Sequence, residues 1–440
     1  IETILADFKK GEPMTRLLEG DVGSGKTAVA ATASFAVATS RPGKSDFGNL
    51  QIAYMAPTEI LAKQHFESFI QFFKKYPLNI GLITGSGCRK FPSKVNKDGW
   101  TDISRPQLLK WISSGEIGVL IGTHALIQKT VKFKHLALAI IDEQHRFGTN
   151  QRQKLVQKDG YAPHLLSMTA TPIPRTLALT IFGDLDLTLL SEMPVGRKPI
   201  ITEILETTQR EVAYKKIREE LQNGRQAYVI CPRIDEPDPT KELAVQAKSV
   251  KAEAKRLNEN IFPEFEIDFI HSKMTPKAKD EVMDRFTQGK VKILVSTSVV
   301  EVGVNVANAT IMLIEGAERF GLAQLHQLRG RIIRSNHQAY CFALSESRGK
   351  TSYTRLKALK LAKNGFELAE YDLLQRGSGE LYGRKQWGFS DIAMEAIRNI
   401  KMVEAARVEA REMIEDDPEL KKYPALRAIM NTNKGDVHFE

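Results

Sequence analysis

Residues Gly20, Asp21, Val22, Gly23, Ser24, Gly25, Lys26 and Thr27 follow the spacing G-x4-G-K-[ST]. In that pattern the glycines let successive backbone N–H groups wrap phosphate oxygens. Lys26 then reaches the β- and γ-phosphates of a nucleotide, and the Thr27 hydroxyl ligates Mg²⁺. A second group is the carboxylate pair Asp142 and Glu143, which closes the apolar run LALAII. Both acids fall at the carboxyl end of a strand, where α/β sheets bind ligands. Asp142 suits Mg²⁺, held through water, and Glu143 suits orienting and deprotonating an attacking water. A third group is cationic: Arg331 and Arg334 in QLRGRIIR, three residues apart on one helical face. Facing the acids across a cleft, they would stabilise charge on a transferring phosphoryl group. Taken singly, each group has a plainer reading: a glycine turn, a pair of acids after a strand, solvated helix arginines. Taken together they describe ATP hydrolysis with Mg²⁺.

The elements that must hold these groups are legible as alternating patterns. Up to about Leu190, MTRLLEG, LQIAYMAP, NIGLIT, GVLIGT, LALAIIDE and HLLSMTA are short apolar runs bounded by turn or polar residues. Helical stretches such as TAVAATASFAVATS and EILAKQHFESFIQFFKKY lie between them. Strands alternating with helices predict a doubly wound parallel sheet covered on both faces. After the Pro/Gly-rich link SEMPVGRKP the pattern restarts with ITEILE, QAYVICP, EIDFIH, KILVST, TIMLIEG and QAYCFAL. This is a structural duplication without a sequence repeat. From about Ser347 the strands stop, and helical periodicity surrounds a Gly-rich basic loop, RGSGELYGRKQWGFSD. The expected domains are therefore 1–192, 193–346 and a helical 347–440. Residues 85–106 have no periodicity and read as a surface loop; charged 241–260 reads as a solvated helix face.

Bulk properties fit an α/β protein of this size. The 440 residues allow two to three domains, and no run of eighteen apolar residues could span a membrane. A formal charge of +10 suits a polyanionic partner without proving one. Cys88, Cys231 and Cys341 form no CxxC pair; Cys231 and Cys341 fall in apolar strands and read as buried reduced thiols, which fits the cytoplasm. The chain starts at Ile1 inside a helical pattern, without a methionine or a signal sequence, and reads as a partial sequence with material missing upstream.

GDVGSGKT, APTEILAKQH, GTHALI, DEQHRFG, SMTATPIPRTL, STSVVEVGVNV and QLRGRxxR occur in the order of the superfamily 2 helicase motifs. With GAERFGLAQLHQLRGR and GFELAEYDLLQRGSGEL, nearly the whole chain resembles the RecG family of bacterial ATP-dependent DNA helicases. The resemblance implies two RecA-like domains followed by a helical translocation element. It implies that Thr58, Glu59, Thr123, His124, Thr169 and Thr171 track a DNA strand or couple it to ATP. Thr297 and Ser298 would contact the strand, while Glu301 and Gly303 would face the nucleotide. Hydroxyls and backbone N–H groups at strand ends suit phosphates and carry no sequence readout. Arg376 and Gln386 match the translocation loop, and Trp387 beside them reads as packing. The implied partner is branched or forked DNA with duplex arms, in repair and recombination, acted on by a monomeric motor that could meet a single-strand DNA-binding protein. Two departures stand out: Ile333 replaces a glycine usual in the family, and the family's adenine-contacting segment and N-terminal wedge domain precede Ile1. The alternatives are the motor of a transcription–repair coupling factor, whose phosphate loop tends to carry an aromatic at the Ser24 position, and a DNA-binding subunit without turnover.

Overall fold

The computed structural model describes residues 1–41, 50–95, 98–143, 162–170, 185–192, 198–232, 249–271, 273–297, 306, 308–332, 337–346, 350–362, 364–371 and 400–432. The first sheet contains β1 (Thr15–Gly20), β2 (Gln51–Met55), β3 (Ile80–Ile83), β4 (Cys88–Phe91), β5 (Thr101–Ile103), β6 (Val119–Gly122), β7 (Leu136–Ile141), β8 (His164–Thr169) and β9 (Asp186–Leu190). Its order is β5-β4-β3-β6-β2-β7-β8-β1-β9. The second contains β10 (Ile201–Glu206), β11 (Gln226–Ile230), β12 (Ile267–Ile270), β13 (Ile293–Ser296), β14 (Ala309–Ile314) and β15 (Tyr340–Ser345), in the order β10-β15-β14-β11-β13-β12. All pairings of the second sheet are parallel. The helices are α1 (Glu2–Asp7), α2 (Lys26–Ala38), α3 (Glu59–Phe73), α4 (Arg105–Ser114), α5 (Arg210–Gln222), α6 (Pro276–Thr287), α7 (Leu322–Arg329), α8 (Lys350–Leu361), α9 (Ile400–Asp416) and α10 (Pro424–Thr432). These are two RecA-like α/β units followed by a helical element. Among the described residues no helix is long and apolar enough to cross a membrane.

Central strands β2, β11 and β14 are buried at every residue, as parallel strands covered on both faces must be. One face of α3 carries Phe66, Phe69, Ile70 and Phe73 at helical spacing, and Phe69 meets Tyr54 of β2 edge to face at 5.4 Å. The Thr58 side chain caps the helix by accepting from Leu61 N. That cap fixes where α3 begins, and so where the face carrying His65 points.

The duplication extends to single side chains. Gln51 opens β2 and Gln226 opens β11, the strands that hold corresponding places in the two sheet orders. Gln51 Nε2 donates to the carbonyls of Ile112 and Ile117, between α4 and β6. Gln226 Nε2 donates to those of Phe286 and Val291, between α6 and β13. Each buried amide stitches a helix end to the next strand. Gln51 Oε1 also accepts from Lys134 N and His135 N.

Two expectations are corrected. Residues 85–106 are not merely a surface loop: β4 and β5 lie within them and extend the sheet antiparallel beyond β3. Phe91 is buried there, and the Arg89 guanidinium lies 3.9 Å from the Trp100 ring centroid. Strands of four and three residues with mixed burial leave no periodicity to read. The charged 241–260 segment is only partly a solvated face. From 249 on it is helical, closing in the π turn Leu257–Ile261, and it buries Val250, Ala254 and Leu257; residues 241–248 lie outside the described residues. The three cysteines are free and buried. In the helical element, α8 buries Leu356 and Leu359 against the second unit, and Arg407 and Arg411 of α9 reach Asp186 on β9 of the first.

Gln51→Leu keeps the side-chain bulk but removes four hydrogen bonds: the Ile112 carbonyl retains Gly115 N, while the Ile117 carbonyl and the N–H groups of Lys134 and His135 lose the glutamine. It should lower unfolding free energy by about 2–4 kcal/mol, measured by denaturant titration with an unchanged m-value.

Candidate functional site

At Gly20 the chain leaves β1 and turns into α2, whose first residue is Lys26. Gly23 and Gly25 have φ of +80° and +100°, a region that L side chains rarely enter. Gly20 is needed for contact instead: a Cβ there would sit 2.5 Å from Ser24 Oγ and 2.9 Å from Leu190 Cβ. The Lys26 ammonium donates to the carbonyls of Gly20 (2.6 Å) and Asp21 (2.9 Å). The loop is thus a backbone cradle with a cation at its mouth.

β7 delivers the acids. Asp142 N donates to Met55 O, carrying the ladder one residue beyond the strand. Asp142 is buried, with Oδ2 2.7 Å from His65 Nε2 and Oδ1 accepting from Glu143 N at 3.1 Å. The Tyr54 hydroxyl lies 3.4 Å from the His65 ring nitrogens. Glu143 adopts φ +53°, a costly conformation for a residue with a Cβ. Its carboxylate accepts from Ala170 N, just after β8.

Burial pushes both carboxyls towards their neutral forms, and their neighbours then separate them. At Asp142 the His65 hydrogen bond and charge, with Lys26 and the Glu143 N–H, outweigh burial and hold the pKa below the ordinary range. At Glu143 burial and the Asp142 charge outweigh Lys26, Arg331 and the Ala170 N–H, so the pKa is raised. One acid is set to stay ionised and the other to take a proton.

The second unit closes the site. After α7 a 3₁₀ turn, Gly330–Ile332, brings Arg331 close enough to act on the charge of Glu143. Gly330 packs on the phosphate loop so closely that a Cβ would lie 2.6 Å from Val22 Cβ. His326 Nε2 is 2.5 Å from Asp21 Oδ1, and Lys63 of α3 pairs with Asp280 of α6 at 3.0 Å. Between the units lies a cleft of about 720 Å³ lined by Lys26, Thr27, Thr58, Asp142, Glu143 and Arg331, among others.

The structure therefore brings together Gly23, Gly25, Lys26, Thr27, Asp142, Glu143 and Arg331, from two units. Thr58 lines the same cleft. Glu59 instead accepts from Gly85 N at 2.9 Å, bracing the turn after β3. Thr123 and His124 enter the 3₁₀ turn His124–Ile127 after β6, and Thr169 ends β8. Thr297 follows β13, buried, and its hydroxyl has no hydrogen-bond partner among the described residues. Thr171, Ser298, Glu301, Gly303, Arg334, Arg376, Gln386 and Trp387 lie outside the described residues. His65 and His326 were not anticipated; both are helix residues whose partners are 77 and 305 positions away.

Mg²⁺ fits the donors present. Asp142 and Thr27 offer hard oxygens, and no cluster of three or more His, Cys, Asp or Glu forms a cage among the described residues. A cation held by one or two protein oxygens plus phosphates is how Mg²⁺ usually binds.

A model of the DEAD/DEAH box helicase domain matches residues 2–180, and one of the helicase conserved C-terminal domain matches 210–336. The ATP-dependent DNA helicase RecG of Synechocystis is 44% identical over 97% of this chain and 48% of its own length. That of Bacillus subtilis is 43% identical over 97% of this chain and 59% of its length. Over nearly its whole length the chain is thus similar to the RecG helicases. A solved structure of RecG bound to a three-way DNA junction superposes with a TM-score of 0.70 at 38% identity, covering 92% of this chain and 49% of that one. The chain thus spans about half the length of the relatives it matches. The helicase MrfA, at 16% identity and a TM-score of 0.58, shares the fold.

Gly20→Ala tests the cradle. It should weaken Mg·ADP binding at least about tenfold by calorimetry, because the new methyl displaces Ser24 inside the loop.

Proposed function

We propose that this chain is the motor of an ATP-dependent DNA helicase that remodels branched DNA, forks and Holliday junctions, in repair and recombination. The observation that carries the proposal is the composite cleft: a phosphate loop, two acids of opposite proton affinity and an arginine from the second unit meet in one space. Similarity to the RecG helicases and the junction-bound relative support DNA as the substrate.

In this reading the loop N–H groups and Lys26 hold the phosphates of ATP. Thr27 and Asp142 would hold Mg²⁺, which when bound would supply charge neutralisation at the phosphates. Glu143 orients the attacking water and accepts its proton, a task suited to a carboxylate with raised proton affinity. Arg331 stabilises charge developing on the phosphoryl oxygens, with Arg334 as its partner. Because the arginines belong to the other unit, hydrolysis and cleft closure are one event. Thr58, Thr123, His124, Thr169, Thr171, Thr297 and Ser298 would contact or sense the DNA strand, and Gly303 the nucleotide. Residues 1–192 and 193–346 form the two motor domains, and 347–440 the helical element that carries their motion to duplex DNA through Arg376 and Gln386. The motor acts as a monomer in the cytoplasm, meeting single-strand DNA-binding protein at forks.

DNA-stimulated ATP hydrolysis decides between this motor and a DNA-binding subunit without turnover. The chain should exceed both Lys26→Ala and Glu143→Gln by about a hundredfold or more in kcat. Equal rates in all three proteins would sink the proposal. A pH profile offers a second check. Glu143 with a raised pKa loses its base function as pH falls through that value, so the acidic limb should lie above the ordinary glutamate range. Arg331 draws the Glu143 pKa down, so Arg331→Ala should move the limb to still higher pH, beyond its effect on rate.

A further inference from the structure

Asp21 occupies a position in the phosphate loop where the G-x4-G-K-[ST] pattern demands no particular side chain. Here the carboxylate is buried and works in two directions. Oδ1 accepts from Val22 N at 2.6 Å and lies 2.5 Å from His326 Nε2; Oδ2 accepts from Gly365 N at 3.0 Å. The backbone carbonyl of the same residue accepts from Lys26 at 2.9 Å. One residue therefore touches the phosphate-gripping lysine, the helix that leads to Arg331, and the start of the helical residues 365–371.

The chemistry of the partners fixes the direction of each bond. Arg329 can only donate, and one of its terminal nitrogens lies 3.0 Å from His326 Nδ1, so Nδ1 accepts. Nε2 then carries the proton and donates to the Asp21 carboxylate, which can only accept. The other terminal nitrogen of Arg329 donates to Leu359 O at 2.6 Å, near the end of α8. Asp21 and Arg329 are thus the two charged ends of a buried chain joined through His326. Both ends grip two consecutive helical segments, α8 and the helical residues 365–371, together called the hairpin: Arg329 at Leu359 in the first, and Asp21 at Gly365, which opens the second. Breaking one end strands a charge in the interior, so the chain holds or releases as a unit. The contact of Gly330 on Val22 adds shape complementarity beside it.

We propose that Asp21 is a positioning residue that ties occupancy of the phosphate loop to the helical hairpin of residues 350–371, so that loop and hairpin shift together. The inference rests on nucleotide binding at this loop. Phosphate that engages Lys26 competes for the bond to Asp21 O, and the side chain passes the displacement to Gly365. This input reaches the hairpin without passing through Arg331.

Hydrogen–deuterium exchange with and without Mg·AMP-PNP tests it. In the parent, uptake should change both at 20–27 and at 366–371. Gly365→Pro removes the N–H that Asp21 accepts, at a position where proline is tolerated because Asn364 Oδ1 already caps Glu367 N. His326→Ala cuts the other branch, and serves alone if the proline variant fails to fold. In either variant 20–27 should still respond to nucleotide, while the response at 366–371 falls at least fivefold. A hairpin response equal to the parent's overturns the proposal. So does faster exchange at 366–371 with the nucleotide-dependent difference intact, which is what a purely structural network would give. If 20–27 does not respond in the parent, nucleotide binding itself fails, and the coupling falls with it.

Discussion

Two carboxylates at the end of one buried strand cannot both be charged unless hydrogen-bond donors and cations are brought to them from elsewhere. Asp142 and Glu143 impose that requirement, and much of the structure around them answers it. His65 comes from α3, Lys26 from the phosphate loop and Arg331 from the second unit. The supply is unequal. Asp142 has the closer hydrogen-bond partner in His65 and its pKa is held down, while Glu143 is left with raised proton affinity. In the proposed mechanism a metal-holding acid and a proton-accepting acid thus come from adjacent residues of the same chemistry.

The same constraint draws residues of both units into one cleft. Strand order places β7, β8 and β1 side by side, so both acids, Ala170 and the phosphate loop share one edge. Arg331 can reach that edge only if the second sheet presents the end of α7 across the cleft. Lys63–Asp280, Gly330 on Val22 and His326–Asp21 hold it there. Each unit is stiffened in the same way, by a buried glutamine that ties a helix end to a central strand. Rigid units joined by a few polar contacts favour motion at the cleft rather than within the sheets.

How much of this was legible in the chain depended on whether the signal was local. The strands named from apolar runs, the glycine loop and the acid pair are sequence-adjacent features, and all appear where the periodicity put them. Arg331 was reachable because the duplication implied a facing unit. His65 was not: a histidine in an amphipathic helix reads as core, and only the fold brings it to Asp142. Asp21 falls within the phosphate-loop pattern, but its side-chain role was not legible, because its partners lie 305 and 344 residues away. β4, β5 and β9 escaped because three to five residues paired at a sheet margin carry no alternation, and 85–106 was therefore read as a loop.

The central claim is that Glu143 and Arg331, on separate units, act as one catalytic device. A double-mutant cycle on the single-turnover rate of ATP hydrolysis tests it most directly, using Glu143→Gln, Arg331→Ala and the double variant with DNA saturating. Residues that work as a unit are strongly non-additive, so the double variant should be within about threefold of the slower single variant. A double variant slowed by the product of the two single effects would mean that the two residues act independently, and would contradict the account.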